Sequence, residues 1–369
     1  MTEQLLRCQL ITQPDQLSDL KADWHQLWQQ SATAHAFQNA EWVQQWCQHY
    51  QAHIQQLYIV AVWHQQQLVG LLPTYLRPLG NRPLSWLGLC QQQLCFIGTG
   101  EPEHSEVAAE YMDLLYEPSF EEQVLQQLSK QLSKDAAIKA IYFRDIRPNA
   151  HVSQLLNKLA VSFPVQSQQP SGWTFAIPLQ TEDMGYSRNC QKKRQRLLNK
   201  LQTLPHRLII AQDSQQAELL FQQLQHLHQQ RWQQQGKAGV FASEVFSQFH
   251  QSMLNQLLKS GQLLLAALEV NGQIIAVSYG FISKQSYLYY QGGIDQQFSP
   301  NLSPGLLLHF MLADHAKSLG LSQYDLMKSP NQQDYKASLA EPTGAVIHQW
   351  AFRNRWQQFK AKLLQRLTH

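Results

Sequence analysis

Along this chain the spacing of hydrophobic and polar residues alternates between a helical period and a strand period. The places where the period changes mark the boundaries of the predicted helices and strands. Apolar residues three and four positions apart predict helices over 17–28, 41–50, 120–132 and 149–159 in the first half, and over 186–201, 214–235, 243–259, 304–319 and 356–367 in the second. Short apolar or alternating runs predict strands over 57–63, 68–76, 137–144, 173–179, 207–211, 263–270, 274–282, 286–292, 323–327 and 346–352. Mixed helices and strands in this order predict an α+β fold.

A tight hairpin is predicted within the second half. Asn271-Gly272 lies between two of the apolar strands, and both residue types tolerate the positive φ that a two-residue hairpin turn requires. A third alternating strand follows after a second short turn. Three antiparallel strands in sequence argue for a mostly antiparallel sheet and against a doubly wound parallel one.

The length of 369 residues is typical of two domains. The periodic pattern weakens between 161 and 172, where Pro164 and Pro170 flank a glutamine-rich run. We therefore predict an N-terminal domain over 1–168 and a C-terminal domain over 169–369.

Composition excludes several classes of protein. Hydrophobic residues make up 44% of the chain and charged residues 15%, which is typical of a folded globular protein. The net charge of +3 is too small for a dedicated nucleic-acid binder and leaves room only for a local basic patch. No apolar run approaches the ~20 residues of a membrane span.

The cysteines and the N-terminus bear on the compartment. The five cysteines are scattered, odd in number and without CxxC pairs, and the first ten residues contain an acidic side chain and no apolar core of a signal peptide. These features predict a reduced, cytoplasmic protein. Neither an HExxH motif nor a comparable histidine pair is present, so no metal site is predicted.

A candidate anion site follows the three strands. They end at Gln291-Gly292-Gly293, and after a loop Ser303-Pro304-Gly305 opens an apolar helix. Proline fits the first helical turn, glycine permits close approach of a ligand, and the free N–H groups favour a phosphate. The same tripeptide is also an ordinary helix start, so both interpretations stay open.

A basic helix precedes the strands. Arg188, Lys192 and Arg196 recur every four residues on one face, with Lys193, Arg194 and Lys200 nearby. One interpretation is a solvated helix face. The other is a substrate-binding surface for an anionic acceptor or carrier, such as a nucleotide sugar, a lipid-linked phosphate or tRNA.

The order of these segments resembles the GNAT acyltransferases, and more closely their FemAB-like, or BioF2-like, acetyltransferase domain. The resemblance spans nearly the whole chain. The segments that carry it, in chain order, are Phe37–Trp42, Leu68–Pro73, Arg231-Trp232, Gly236, Phe241, Leu265–Ala276, Tyr289–Asp295, Ser303–Leu308, Tyr324–Leu326 and Tyr335-Lys336. The chain departs from the family in having a single glycine, Gly305, at the helix start, and Lys328-Ser329-Pro330 where a glycine often follows the Tyr-Asp-Leu strand.

The resemblance implies two GNAT-like domains in tandem, the first degenerate and the second catalytic. It implies transfer of an acyl group from acetyl-CoA or another acyl-CoA to an amine or hydroxyl, with the thioester against the strand edge at 288–292 and a backbone N–H there as oxyanion donor. The implied catalytic residues are Tyr335 as acid, Lys336 as charge stabiliser and Asp325 as base. The implied cofactor-binding residues are Tyr290, Gln291, Gly292, Ser303, Gly305 and Leu306.

Other interpretations of these residues stay open. Asp325 is either the base or a residue that caps a helix or ends a sheet edge. Glu269 is a second candidate carboxylate, or else a solvated surface residue. Tyr335 and Lys336 are either catalytic or simply pack their side chains against the protein. His309 lies on the helix after Gly305, where it faces either the cofactor or the core.

Three functions are compatible with this pattern. The first is a CoA-dependent acyltransferase acting on a small-molecule or envelope-precursor acceptor. The second is an aminoacyl-tRNA-dependent peptidyl transferase, as in FemAB-like proteins. The third is a non-catalytic binding or assembly protein that retains the fold. The oligomeric state is not predicted.

Overall fold

The computed structural model describes residues 6–79, 91–298 and 301–368. The chain divides into two compact units. Unit 1 comprises Met1–Glu101, Val107–Ser171 and Val346–His369, and unit 2 comprises Pro102–Glu106 and Gly172–Ala345. None of the helices within the described ranges is long and apolar enough to cross a membrane.

Unit 1 is a mostly antiparallel sheet with helices packed on it. Its strands are β1 Arg7–Ile11, β2 Gln56–His64, β3 Gln67–Leu79, β4 Gln91–Phe96, β5 Leu115–Tyr116, β6 Ala140–Ile146 and, from residue 346 on, β13 Pro342–Phe352. They follow the order β1-β2-β3-β4-β6-β13, with β5 paired to β3. Its helices are α1 Leu17–Gln30, α2 Ala40–His49, α3 Glu121–Lys134, α4 His151–Lys158 and α9 Arg355–Thr368.

A buried carboxylate holds the start of α4 in unit 1. Asp113 accepts hydrogen bonds from the backbone N–H groups of His151 and Val152, each at 2.8 Å, and its Oδ2 lies 3.3 Å from the His151 Nδ1. The other ring nitrogen of His151 lies 2.7 Å from the Tyr116 hydroxyl and 3.3 Å from Glu121. The Asp113 hydrogen bond is the largest cause of a raised pKa of His151, and the nearby charges of Asp113 and Glu121 add to it.

We expect this pair to make the stability of unit 1 depend on pH. A raised folded-state pKa means that the stabilisation is fully present below the unfolded-state pKa, near 6.5, and is lost as pH rises through the folded-state value. Urea unfolding at about pH 6 and about pH 9 measures the loss. His151→Gln, which keeps polarity without the charge, should show a smaller difference between the two pH values, and an equal difference would contradict the assignment.

Unit 2 repeats this arrangement. Its strands are β7 Val165–Pro178, from residue 172 on, with β8 His206–Ile210, β9 Leu263–Val270, β10 Gln273–Ser283, β11 Ser286–Ile294 and β12 Gln323–Ser329. They follow the order β7-β12-β11-β10-β9-β8. Its helices are α5 Arg188–Gln202, α6 Ser214–Gln234, α7 Glu244–Lys259 and α8 Pro304–Ser318.

The strands of the two units share one topology. In each, four sequential strands pair antiparallel, the fourth strand pairs parallel with the fifth, and a sixth strand pairs antiparallel with the fifth. The parallel pairs are β4–β6 and β11–β12. A mixed α+β fold with mostly antiparallel sheets agrees with the predicted fold class.

The unit boundaries differ from the prediction in two respects. The segment from 161 to 172 was interpreted as a connection poor in pattern, but Val165–Pro178 forms the continuous strand β7. The predicted C-terminal domain ran to residue 369, whereas Val346–His369 belongs to unit 1. The reason is that β13 pairs antiparallel with β6, from Ile347↔Ile146 to Phe352↔Ala140, and so completes the first sheet.

Candidate active site

The parallel strands of unit 2 part after a short paired stretch. β11 pairs with β12 only from Ser286↔Gln323 to Leu288↔Asp325. β11 continues along β10 as far as Ile294, while β12 is interrupted by a register shift after Asp325. Among the described residues the sheet therefore opens into a fork, which is bordered by 289–294 of β11 and 326–329 of β12.

A β-bulge shapes the β11 side of the fork. Gln291 pairs with Tyr279 and Tyr289 with Gly280, so Tyr290 is the extra residue of the bulge. A Cβ at Gly280 would overlap the Leu288 carbonyl oxygen, so only glycine permits this close crossing. Bulges change the direction of backbone N–H groups, and such a reoriented donor at 288–292 is what oxyanion stabilisation requires.

The bulge sends neighbouring tyrosines into different surroundings. The Tyr290 hydroxyl lies 3.0 Å from the His250 Nε2, in an aromatic cluster that includes Phe281. The Tyr289 ring lies instead 4.7 Å from the ring of His309 on α8. Of the predicted cofactor-binding residues, Tyr290 thus has its side chain in the cluster around His250, and its backbone at the bulge is the part that borders the fork.

Three tyrosines surround His309 beside the fork. The His309 Nδ1 and the Tyr324 hydroxyl share a hydrogen bond of 2.6 Å, and the rings of His309 and Tyr335 are 6.0 Å apart. A Cβ at Gly292 would overlap the Tyr289 hydroxyl, so the absence of a side chain at Gly292 makes room for that phenol. Tyr289 and His309 were not assigned catalytic roles from sequence, because only the fold brings them together.

The electrostatics of this cluster keep its members uncharged at neutral pH. Burial, with a smaller effect of the Lys336 charge, lowers the pKa of His309 to about 3. Burial also raises the pKa of Tyr289, and burial together with Tyr289 raises the pKa of Tyr335. Tyr335 is 46% exposed, and its hydroxyl lies within hydrogen-bonding reach of Tyr289. Tyr335 is thus a protonated phenol at the edge of the site.

Lys336 and Asp325 hold the β12 side of the fork. The Lys336 ammonium is buried and donates to the carbonyls of Lys328 at 2.7 Å and Met327 at 3.4 Å. Asp325 is buried and accepts a hydrogen bond of 2.7 Å from the Met327 N–H, and Met327 has the unusual φ of 64°. These contacts fit the sheet-edge alternative for Asp325, and the catalytic roles of both residues stay predictions.

Arg231 on α6 contributes a cation near these phenols. It belongs to a segment of the family resemblance to which no role was assigned. The positive charge of Arg231 acts on the phenols of both Tyr289 and Tyr335. The Arg231 Nε is buried and has no hydrogen-bond partner, and no carboxylate pairs with this guanidinium among residues 6–79, 91–298 and 301–368. A half-buried guanidinium without a partner is suited to bind an anion.

The predicted anion site lies at the start of α8. Ser303 adopts a left-handed conformation with φ 50°, Pro304 is the first helical residue, and the Leu307 N–H closes the first turn on the Ser303 carbonyl at 3.1 Å. The N–H groups of Gly305 and Leu306 therefore lie at the positive end of the helix without an intrahelical acceptor. A Cβ at Gly305 would lie 2.6 Å from the Cδ1 of Ile294 at the end of β11, so a side chain here would require Ile294 to shift.

The predicted basic helix, α5, packs antiparallel to α8. Arg194 forms an ion pair of 2.6 Å with Asp314 late in α8, and the Lys200 Nζ lies 3.4 Å from the Asn301 carbonyl just before α8 begins. Arg188, Lys192 and Arg196 are exposed on one face. The later residues of this stripe line a shallow depression of about 590 Å³, formed by Lys192, Gln195, Arg196, Asn199, Lys200 and Thr203. The basic stripe and the α8 start therefore add positive charge on the same side of unit 2.

Glu269 lies away from the fork. Its carboxylate accepts hydrogen bonds of 2.8 and 2.9 Å from the Arg207 guanidinium between β8 and β9. The Arg207 hydrogen bond is the main cause of the lowered pKa of Glu269. This arrangement fits the interpretation of Glu269 as a surface carboxylate.

Within the described part of the chain no group of three or more His, Cys, Asp or Glu side chains is arranged to hold a metal ion.

Comparisons with known proteins agree with this geometry. Residues 187–337 match the family described as an acetyltransferase (GNAT) domain. No curated protein matches the sequence. Among solved structures, FemX matches with a TM-score of 0.60 and 11% identity, over 96% of this chain and all of that one.

Two further solved structures have the same fold. The C-terminal domain of a putative lysylphosphatidylglycerol synthetase from Agrobacterium fabrum matches with a TM-score of 0.55 and 10% identity, over 96% of this chain and 97% of that one. L-PGS from Bacillus licheniformis matches with a TM-score of 0.50 and 12% identity, over 81% and 86%. At these identities the structural matches establish the fold alone. As the resemblance predicted, residues 187–337 match the model of the GNAT acetyltransferase domain family, and the chain shares the fold of FemX.

Proposed function

We propose that this protein transfers an acyl group from acyl-CoA to an amine or hydroxyl of an acceptor that carries a negative charge. The observation that carries the proposal is the fork in unit 2, where a strand bulge, a protonated phenol and a guanidinium with no carboxylate partner among the described residues border one opening. The GNAT family match over 187–337 supports the acyl-transfer class.

The proposed chemistry needs three functions from the chain. The acceptor lone pair attacks the thioester carbonyl carbon, and the developing oxyanion accepts a hydrogen bond from a backbone N–H at 288–292. The C–S bond then breaks, and the Tyr335 hydroxyl gives its proton to the departing thiolate. The acceptor releases a proton to a base or to water. A proton from that base or water then restores the Tyr335 phenolate to the phenol. Asp325 remains the carboxylate proposed as that base.

The donor and the acceptor would occupy different parts of unit 2. The N–H groups of Gly305 and Leu306, next to Ser303, suit the phosphates of the donor, and residues 290–292 suit the thioester arm. Arg231 suits an anionic group of the acceptor beside the fork, and the stripe Arg188, Lys192 and Arg196 suits a more extended anionic portion. Lys336 would position Tyr335 by fixing the end of β12.

A second candidate is aminoacyl transfer from an aminoacyl-tRNA on the same fold. The observation that favours it is the exposed basic stripe of α5, because phosphate contacts dominate the affinity for nucleic acids. An envelope-precursor acceptor is compatible with both candidates.

Thermal melting with acetyl-CoA, longer acyl-CoAs, free CoA and bulk tRNA distinguishes the candidates. At a ligand concentration of about 100 times Kd, binding stabilises the folded state by about 2.7 kcal/mol, which raises the Tm by roughly 3 °C or more. We expect this shift with acetyl-CoA or a longer acyl-CoA. The triple variant R188Q/K192Q/R196Q should keep a shift caused by CoA binding at α8.

Each outcome supports one candidate. A shift with tRNA alone, abolished in the triple variant, would replace the CoA-dependent function with the tRNA-dependent one. Stability that responds to neither ligand would contradict both and favour a binding or assembly protein.

A further inference from the structure

The helix α9 of unit 1 exposes aromatic side chains. Trp356 is 57% exposed and Phe359 is 55% exposed, and their rings stack with centroids 5.6 Å apart and planes at 15°. Leu363, one turn further along, is partly exposed. These three residues lie on one side of the helix because they are three and four positions apart. We call this side the aromatic ridge.

The opposite side of α9 faces the protein. Ala361 is buried and packs with Ala140 and Phe352 of unit 1. A helix on the surface of a globular protein normally buries its large apolar side chains and exposes its polar ones. In α9 the small residue faces inward and the aromatic ridge faces outward, so this helix presents its ridge to something outside unit 1.

Cations flank the aromatic ridge on both sides. At 100° per residue, Lys360 lies on one flank of the ridge, and Arg355 and Lys362 lie on the other. The Lys360 Nζ lies 5.5 Å from the centre of the Trp356 ring. The sequence from 353 to 369 contains five lysines and arginines and no aspartate or glutamate. The charge of this segment is therefore wholly positive, in a chain whose net charge is only +3.

We propose that α9 is an interfacial helix that binds the surface of a membrane containing anionic phospholipids. An apolar ridge flanked by lysine and arginine is the pattern of a helix that lies in the plane of the membrane. Trp356 and Phe359 would enter the boundary between headgroups and acyl chains, where aromatic rings are favoured. The flanking cations would remain at the level of the lipid phosphates, with their stems extended along the ridge.

A membrane fits the aromatic ridge better than a nucleic acid does. Bases bind proteins by stacking on open aromatic faces. In α9 one face of each ring stacks on the other ring and the Lys360 ammonium also lies over Trp356, so fewer ring faces are open for bases. What the ridge offers is a continuous apolar edge, which suits acyl chains.

Co-sedimentation of the full chain with vesicles tests the proposal. We expect binding to vesicles of mixed phosphatidylcholine and phosphatidylglycerol, and weaker binding to phosphatidylcholine alone. The variant W356A/F359A should lower the partition coefficient by on the order of tenfold to a hundredfold. The variant K360E/K362E should lower it by roughly thirtyfold or more, and selectively for the anionic vesicles, because each basic residue contributes about 1 kcal/mol at such a surface.

Controls separate this result from misfolding and from other partners. V161S changes another exposed apolar side chain of unit 1 and should bind vesicles like the parent protein. All three variants should melt like the parent, because the altered side chains are exposed or partly exposed. Equal pelleting of W356A/F359A and parent, or a parent dimer in sedimentation velocity that W356A/F359A dissociates, would overturn the proposal. Binding of the parent to tRNA that W356A/F359A loses would also overturn it.

Discussion

Tyr335→Phe is expected to lower kcat for acyl transfer by roughly a hundredfold or more, with little change in stability. A positioned general acid typically contributes about 10²–10⁴-fold, and this substitution removes only the proton that the thiolate would receive. Burial raises the pKa of Tyr335, so the phenol carries its proton at neutral pH. Release of the free thiol of CoA, followed with a thiol reagent across a panel of amine acceptors, measures the effect.

Two comparisons separate acid catalysis from packing. Tyr186→Phe makes the same chemical change in unit 2, at a buried hydroxyl that has no hydrogen-bond partner within the described part of the chain, and should leave kcat unchanged. An acyl thioester of thiophenol has a leaving group of low pKa, which needs little protonation. With this donor, Tyr335→Phe should recover most of the rate of the parent protein. A rate deficit of the same size with both donors would exclude Tyr335 as the acid.

Local sequence signals were sufficient to predict several elements of unit 2. The Asn271-Gly272 turn was predicted from residue type alone, and both residues have positive φ, 51° and 80°. α8 begins at Pro304, as its sequence predicted. These features depend on a few adjacent residues, so their conformational preferences are readable without the rest of the fold.

The remaining features depend on contacts between distant parts of the chain. The pairing of β13 with β6 joins residues about 200 positions apart, and no local pattern distinguishes it from pairing within the second half. The fork likewise brings together Arg231 on α6, Tyr289 on β11 and Tyr335 after β12. The family resemblance included all three residues, but no local pattern predicts that their side chains share one environment. Their common environment exists only after the parallel pair β11–β12 has formed and parted.

Arg231→Gln is expected to lower kcat/KM for an anionic acceptor by roughly thirtyfold or more, mainly through KM. Loss of one partner from a buried, hydrogen-bonded charge pair costs about 2 kcal/mol or more, which corresponds to that factor. Because Arg231 has no carboxylate partner of its own among the described residues, its removal leaves no buried charge of the protein uncompensated. The folded state should therefore be about as stable as the parent in urea unfolding.

The decisive measurement compares acceptor pairs that differ only in the anionic group, such as an amine with and without a carboxylate. Parent protein should prefer the charged acceptor, and Arg231→Gln should lose that preference while retaining its rate with the neutral one. Arg231→Lys should recover only part of the preference, because an ammonium lacks the two-pronged geometry that matches a carboxylate. Arg207→Gln removes a guanidinium of unit 2 that already pairs with Glu269, and should change neither rate. If Arg231→Gln slows both acceptors equally, the guanidinium acts on the donor or on the tyrosines, and acceptor charge would then have to be recognised elsewhere, with the α5 stripe as the next surface to test.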